Sequence, residues 1–81
     1  MRILLVDDHA LVREGLRALL ADHPHSEVIG EAGDVDSARQ AVQHLQPDLV
    51  LMDVSIRQGS GIALTGELTR ANPQLAVLML S

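Results

Sequence analysis

The chain has 81 residues and a formal net charge of −5, from eleven acidic and six basic side chains. Hydrophobic residues make up 47% of it, which indicates one small globular domain and excludes a disordered tail, but without Phe, Tyr or Trp the core must be aliphatic. The absence of cysteine excludes disulfides and thiolate metal sites, the single scattered arginines argue against a nucleic-acid surface, and no apolar run approaches the roughly 20 residues that span a bilayer.

The first half of the chain alternates strand and helix patterns. An aliphatic run at residues 3–6 predicts a strand buried on both faces. A first helix follows and is ended by Pro24, and its predicted buried residues are Leu11, Val12, Leu16, Leu19 and Leu20. Residues 27–32 predict a second strand. Asp34 or Asp36 then caps a second helix that Pro47 closes, and its predicted buried residues are Ala38, Ala41, Val42 and Leu45.

The second half continues the alternation. Residues 49–52 form a third aliphatic run that ends at Asp53, and a loop with two glycines covers residues 54–61. A third helix is predicted over about residues 60–71, although Gly66 weakens it by about 1 kcal/mol relative to alanine. Residues 75–81 form a fourth, uncharged strand. Strands joined by helices of this length form a parallel sheet through right-handed crossovers, so the fold class is α/β.

Three carboxylates are predicted to meet at one edge of this sheet. Asp7 and Asp8 follow the first strand, and Asp53 ends the third. If these strands are neighbours where the strand order reverses, the three side chains converge on one site. Such a cluster either binds a divalent cation, for which oxygen ligands favour Mg²⁺ or Mn²⁺, or titrates as a coupled group. An Asp in that setting can be the nucleophile that forms an acyl phosphate. Alternatively, Asp8 caps the first helix, although capping explains only one of the three acids.

The motifs also carry a resemblance to a known family. The segments ILLVDDHALVREGLRALL, VIGEAGDVDSA, PDLVLMDVS and VLMLS, with Gly61 between the last two, resemble the receiver domain of two-component response regulators, and most of all receivers that precede a LuxR-type helix-turn-helix domain. The resemblance implies a three-layer, flavodoxin-like fold with strand order 2-1-3-4. It also implies that residues 1–81 are a receiver truncated after the fourth strand, without the fifth strand and last helices.

The resemblance implies a role for several residues. Asp53 matches the phosphoacceptor, which a sensor histidine kinase phosphorylates, and Asp7 and Asp8 match the acidic pair that binds Mg²⁺ together with Asp53. Ser55 matches the position whose backbone carbonyl is a metal ligand, and Ser81 matches the switch hydroxyl. The implied protein is a cytoplasmic transcription regulator and not an enzyme, with a DNA-binding output domain elsewhere in its chain. No residue of this segment is expected to contact DNA.

Departures from the family pattern support an alternative. Ile56-Arg57 stands where receivers usually have Met-Pro, which predicts altered loop mobility, and the sequence contains no lysine to pair with a phosphoryl group. The alternative is a truncated or degenerate receiver that acts as an interaction fragment without switching. It would form a homodimer or a segment-swapped oligomer through its bare fourth strand.

The remaining candidates favour structural roles. His23 and His25 are expected in an exposed loop, and His9 and His44 on the surface, with His9 beside the acidic pocket. Met52 and Met79 are typical of sheet core. Because no Gly-rich loop follows the first strand, a nucleotide-binding interpretation lacks its motif.

Overall fold

A computed structural model describes residues 1–56 and 59–80. Arg57 and the predicted switch residue Ser81 lie outside the described residues. The elements in chain order are β1 (Arg2–Val6), α1 (Ala10–Ala21), β2 (Glu27–Ala32), α2 (Val35–Leu45), β3 (Leu49–Asp53), α3 (Gly61–Ala71) and β4 (Ala76–Leu80). Within the described ranges, no helix is both long enough and apolar enough to cross a membrane.

The four strands form one parallel sheet in the order β2-β1-β3-β4. The predicted fold class and strand order are therefore confirmed. The order reverses between β1 and β3, where Val6 is the register partner of Met52. This register brings the carboxyl ends of β1 and β3 to the same place at one edge of the sheet.

The two faces of the sheet build separate parts of the core because successive strand residues point to opposite sides. On one face, strand residues pack against α2 and α3, and the buried set includes Leu4, Val6, Val50, Met52, Ala38, Val42, Leu64 and Leu68. On the other face, a smaller cluster consists of Ile3, Leu5 and Leu51. Leu16 and Leu20 of α1 pack against this smaller cluster, which completes the predicted three-layer arrangement.

The predicted buried face of α1 is wrong for three of its five residues. Leu11 is 81% exposed, Leu19 is 64% exposed and Val12 is 43% exposed, and no residue of α1 is fully buried. Of these five residues, Leu16 and Leu20, one turn apart, pack against the sheet. Helical periodicity marks an apolar stripe, but the neighbouring elements determine how much of that stripe is covered.

The helix ends follow their capping residues. The Asp34 side chain caps α2 by accepting a hydrogen bond from the Ser37 N–H at 2.8 Å, so Asp34, and not Asp36, is the cap. The helix ends at Leu45, and its C-cap residue Gln46 has a φ of 49° in the left-handed region and precedes Pro47. Ser60 caps α3 by accepting from the Ala63 N–H at 3.3 Å. The capping interpretation of Asp8 is wrong, because the residue before α1 is His9, which makes no side-chain cap bond.

Candidate functional site

The carboxyl ends of β1 and β3 hold a compact cluster of ionisable side chains. Asp7 follows β1 directly and Asp53 is the last residue of β3. One potential ligand atom from each member lies within 4.8 Å of the others, and the members are Asp7, Asp8, His9 and Asp53. The structure thus brings together the three carboxylates that sequence analysis placed in one site, and it adds a histidine.

The two acids at the strand ends are buried. Asp7 is 6% exposed and Asp53 is 8% exposed. Asp7 Oδ1 accepts a hydrogen bond from the His9 N–H at 2.8 Å, and Asp53 Oδ1 accepts one from the Ser55 N–H at 3.2 Å. Each carboxylate therefore has one oxygen oriented by the backbone of the loop that follows it.

Two buried oxygens of the cluster accept no hydrogen bond from the part of the chain that the structure describes. They are Asp53 Oδ2 and Asp8 Oδ1, although the latter lies 2.9 Å from His9 Nδ1. Leaving a buried carboxylate oxygen without a partner costs about 1 to 3 kcal/mol or more, and a cation would remove that cost. Carboxylate oxygens are the ligands that Mg²⁺ prefers, and Mg²⁺ typically binds to one or two of them. The donor set therefore fits Mg²⁺.

His9 is a member of the cluster whose contacts were not predicted from the sequence. Its side chain is 67% exposed, as expected of a surface residue, but Nδ1 lies 3.0 Å from Asp7 Oδ1. The hydrogen bond to Asp7, together with the charge of Asp8, raises the pKa of His9 above its ordinary value of 6.5. The available signal was its position directly after the acidic pair, where the chain turns into α1.

Gly61 allows α3 to begin against the end of β3. A Cβ atom at this position would lie 2.1 Å from the carbonyl oxygen of Asp53, and the Gly61 N–H donates to the Val54 carbonyl at 2.8 Å. Only glycine fits this close approach of two backbone segments. The requirement accounts for the glycine in the motif and fixes the loop that carries Ser55.

The other predicted positions are not members of this cluster, although Ser55 borders it through the N–H that donates to Asp53 Oδ1. Ser55 is exposed, and Ile56 is buried at 2% exposure in the larger core cluster. His23, His25 and His44 are exposed, as predicted. Met52 is fully buried and Met79 packs against the core, which confirms their structural assignment. Across residues 1–56 and 59–80, the cluster of Asp7, Asp8, His9 and Asp53 is the single group that has metal-binding geometry.

The chain combines a parallel sheet that is covered by helices on both faces with acids that converge where the strand order reverses. This combination is typical of proteins with a receiver-type fold. The chain matches the family model described as response regulator receiver domain over residues 3–81. The chain therefore belongs to the response regulator receiver family.

Individual relatives agree with this assignment. The chain is 41% identical over 81 residues to the DNA-binding transcriptional activator DevR/DosR of Mycobacterium tuberculosis, covering all of this chain and 37% of that protein. It is 41% identical over 80 residues to the transcriptional regulatory protein LiaR of Bacillus subtilis, and the match covers 96% of this chain and 38% of LiaR. The chain spans about a third of the length of these curated relatives.

Solved structures share the fold closely. A LuxR-family two-component response regulator from Aurantimonas sp. SI85-9A1 superposes with a TM-score of 0.90 at 36% identity, covering 96% of this chain and 56% of that one. The non-phosphorylated receiver domain of the stress response regulator RcsB from Escherichia coli superposes with a TM-score of 0.92 at 27% identity. This match covers 100% of this chain and 64% of that one. Most of these relatives are regulators. One relative is named as an enzyme, a protein-glutamate methylesterase/protein-glutamine glutaminase from Hydrogenovibrio crunogenus. It is 40% identical to this chain, and the match covers 21% of that protein.

Proposed function

We propose that this chain is the phosphoacceptor region of a response regulator receiver, in which a sensor histidine kinase phosphorylates Asp53. The observation that carries the proposal is the carboxylate of Asp53. Its Oδ2 is buried and accepts no hydrogen bond from residues 1–56 or 59–80, while Oδ1 is oriented by the Ser55 N–H. A carboxylate fixed by one oxygen and free at the other is suited to act as a nucleophile.

The proposed transfer reaction uses this carboxylate as the nucleophile. A carboxylate oxygen of Asp53 attacks the phosphorus of a phosphohistidine, so that an oxygen–phosphorus bond forms while the phosphorus–nitrogen bond breaks. The kinase imidazole departs with the bonding electron pair and takes up a proton, and Asp53 becomes an acyl phosphate. The Ser55 N–H holds the carboxylate in place during the attack.

Asp7, Asp8 and Asp53, with the backbone carbonyl of Ser55, are the proposed Mg²⁺ ligands. Three carboxylates in such proximity repel one another, and the repulsion grows when a phosphoryl group adds further negative charge. When bound, Mg²⁺ neutralises this charge and attracts the phosphoryl oxygens. The oxygen that best supports this assignment is Asp53 Oδ2, which is buried without a hydrogen bond from the described residues, and Asp8 Oδ1 lies in the same cluster, 2.9 Å from His9 Nδ1.

The output proposed for the whole protein is transcription control through a LuxR-type DNA-binding domain. It is supported by the relatives, which include a DNA-binding transcriptional activator and a LuxR-family response regulator. Ser81 is proposed as the switch hydroxyl that senses the phosphoryl group. The receiver acts by shifting a two-state arrangement and not as an enzyme in its own right.

The experiment uses the full-length protein, a small acyl phosphate donor and Mg²⁺, with intact-mass spectrometry as the measurement. We expect one hydroxylamine-sensitive phosphoryl group, which disappears in Asp53→Ala and when the metal is chelated. Asp36→Ala is the matched control, because this side chain is 73% exposed and lies outside the cluster. Phosphate that persists in Asp53→Ala contradicts the proposal.

A second candidate function is an interaction fragment that pairs through β4 without switching. Its support is the sequence AVLML, which is uncharged, and the 55% exposure of Leu78 on a strand at the edge of the sheet. The measurement is the solution mass of the 81-residue chain by light scattering. This function predicts a dimer that Leu78→Lys converts to a monomer, whereas Leu19→Lys on exposed α1 has no effect. A folded monomer at high concentration excludes it.

A further inference from the structure

Arg13 connects three elements beside the acidic cluster. It lies on α1 with a side chain that is 22% exposed, and its Nε donates to Glu31 Oε1 on β2 at 2.8 Å. Its Nη1 donates to the backbone carbonyl oxygen of Asp7, just beyond the end of β1. One guanidinium therefore ties the first helix to β2 and to the carboxyl end of β1.

The carbonyl that Arg13 binds belongs to the peptide unit that joins Asp7 to Asp8. The N–H of Asp7 continues the sheet by donating to the Ala32 carbonyl at 3.0 Å, which holds one side of the residue. The guanidinium holds the other side. Because a peptide unit is planar, holding its oxygen restrains the plane that joins the two Cα atoms, and this narrows the relative directions in which the Asp7 and Asp8 side chains leave the backbone.

The ion pair with Glu31 determines how Arg13 acts on the site. The charge of Arg13 is paired with the Glu31 carboxylate, which lies outside the cluster. Arg13 therefore serves as a directional hydrogen-bond donor to the Asp7 carbonyl. The planar fork of a guanidinium suits this use, since it presents several donors in fixed directions at once. Groups that orient ligands in this way contribute to metal affinity although they never touch the metal.

We propose that Arg13 is a positioning residue of the cation site: by binding the Asp7 carbonyl, it sets the relative orientation of the Asp7 and Asp8 carboxylates. This inference rests on the proposed function, because it assumes that these carboxylates bind Mg²⁺.

Arg17 is a matched control on the same helix. It is also an arginine and also pairs with Glu31, through Nε to Oε2 at 2.9 Å. None of its hydrogen bonds that the structure shows among the described residues reaches the acidic cluster. Removing Arg17 weakens the same surface ion pair and leaves the contact with the Asp7 carbonyl in place.

The experiment measures Mg²⁺ affinity by NMR titration in the full-length protein, following the amide signals of Asp7, Asp8 and Asp53. We expect Arg13→Ala to weaken Mg²⁺ binding by about tenfold or more, the range typical of groups that orient metal ligands. Arg17→Ala should stay within about twofold of the wild type. Arg13→Lys should recover part of the loss, because an ammonium can donate to the same carbonyl but cannot also bridge to Glu31 in the guanidinium geometry.

A second measurement needs no metal. A hydrogen bond to the Asp7 carbonyl polarises the peptide N–H of Asp8, so the metal-free Asp8 amide signal should move in Arg13→Ala and in Arg13→Lys, but not in Arg17→Ala. An unchanged Asp8 signal in Arg13→Ala overturns the inference, as does equal loss of Mg²⁺ affinity in the Arg13 and Arg17 variants. If the wild type binds Mg²⁺ and takes phosphate on Asp53 while Arg13→Ala retains full affinity, the inference fails and the proposed function stands. A wild type that binds no Mg²⁺ overturns both.

Discussion

Replacing Gly61 with alanine tests how tightly the end of β3 and the start of α3 are packed. The new Cβ would lie 2.1 Å from the Asp53 carbonyl oxygen and 3.0 Å from both the Asp53 carbonyl carbon and the Val54 Cα. A comfortable contact needs about 3.5 Å, and all three atoms belong to the backbone, so no side chain can rotate away. Overpacking of this kind costs at least about 1 to 3 kcal/mol.

Helix propensity opposes part of this cost. Alanine is better than glycine in a helix interior by about 1 kcal/mol, and the gain is smaller at the first helical position. The net expectation is that Gly61→Ala lowers the free energy of unfolding by about 1 to 2 kcal/mol. A chain of 81 residues typically has about 4 to 12 kcal/mol in total, so this loss is large.

The assay is urea unfolding followed by far-ultraviolet circular dichroism, because the chain has no Trp or Tyr to report by fluorescence. Gly15→Ala is the control. Gly15 also lies in a helix, but a Cβ there would meet nothing within 4 Å. It should raise the free energy of unfolding by up to about 1 kcal/mol. If Gly61→Ala is as stable as the wild type while Gly15→Ala behaves as expected, the close approach described here is refuted.

Two further predictions concern charge and packing. Hydrogen bonds from Arg17 and Arg13 hold the pKa of Glu31 below its ordinary value of 4.5. The unfolded chain therefore binds more protons than the folded one, so this stabilisation is present above about pH 4.5 and is lost as pH falls through the lower folded pKa. Glu31→Gln should remove that part of the acid-side slope in urea titrations at several pH values, by less than about 1 kcal/mol for a pair near the surface; an unchanged slope would contradict it. Leu64→Ala, at 2% exposure, should cost about 2 to 5 kcal/mol, whereas Leu11→Ala, at 81% exposure, should stay within about 0.5 kcal/mol in the same assay. Equal losses of stability in the two variants would support the prediction from the sequence that Leu11 is buried.

The sheet was predictable because its signals are local. Aliphatic runs bounded by Asp, Gly or Pro located the strands, and β2 begins and ends where the pattern placed it. Asp34 and Pro47 bracketed α2, since a cap and a helix breaker act within one turn of their own position. The order of strands and helices then restricted the topology to a parallel sheet.

The candidate site was partly predictable. Asp7, Asp8 and Asp53 could be placed together because parallel strands bring their carboxyl ends to one edge. His9 could be placed beside the pocket from its position after Asp8, but its hydrogen bond and the contacts of Arg13 could not be found in this way. They depend on how α1 turns away from β1 and on which part of β2 it then crosses, and neither is encoded in the spacing of the residues.

The family, the strand pattern and the three acids could be read from the sequence, since these follow from residue types at fixed local spacing. The packed chain was needed to show that Asp53 Oδ2 is buried without a hydrogen bond from the described residues, that Gly61 must lack a side chain, and that Leu11 and Leu19 are exposed. The physical reason is that hydrogen bonding, close approach and burial are properties of pairs of elements. The residues of each element can be read from the sequence, but the distances between two elements are set only when the chain packs.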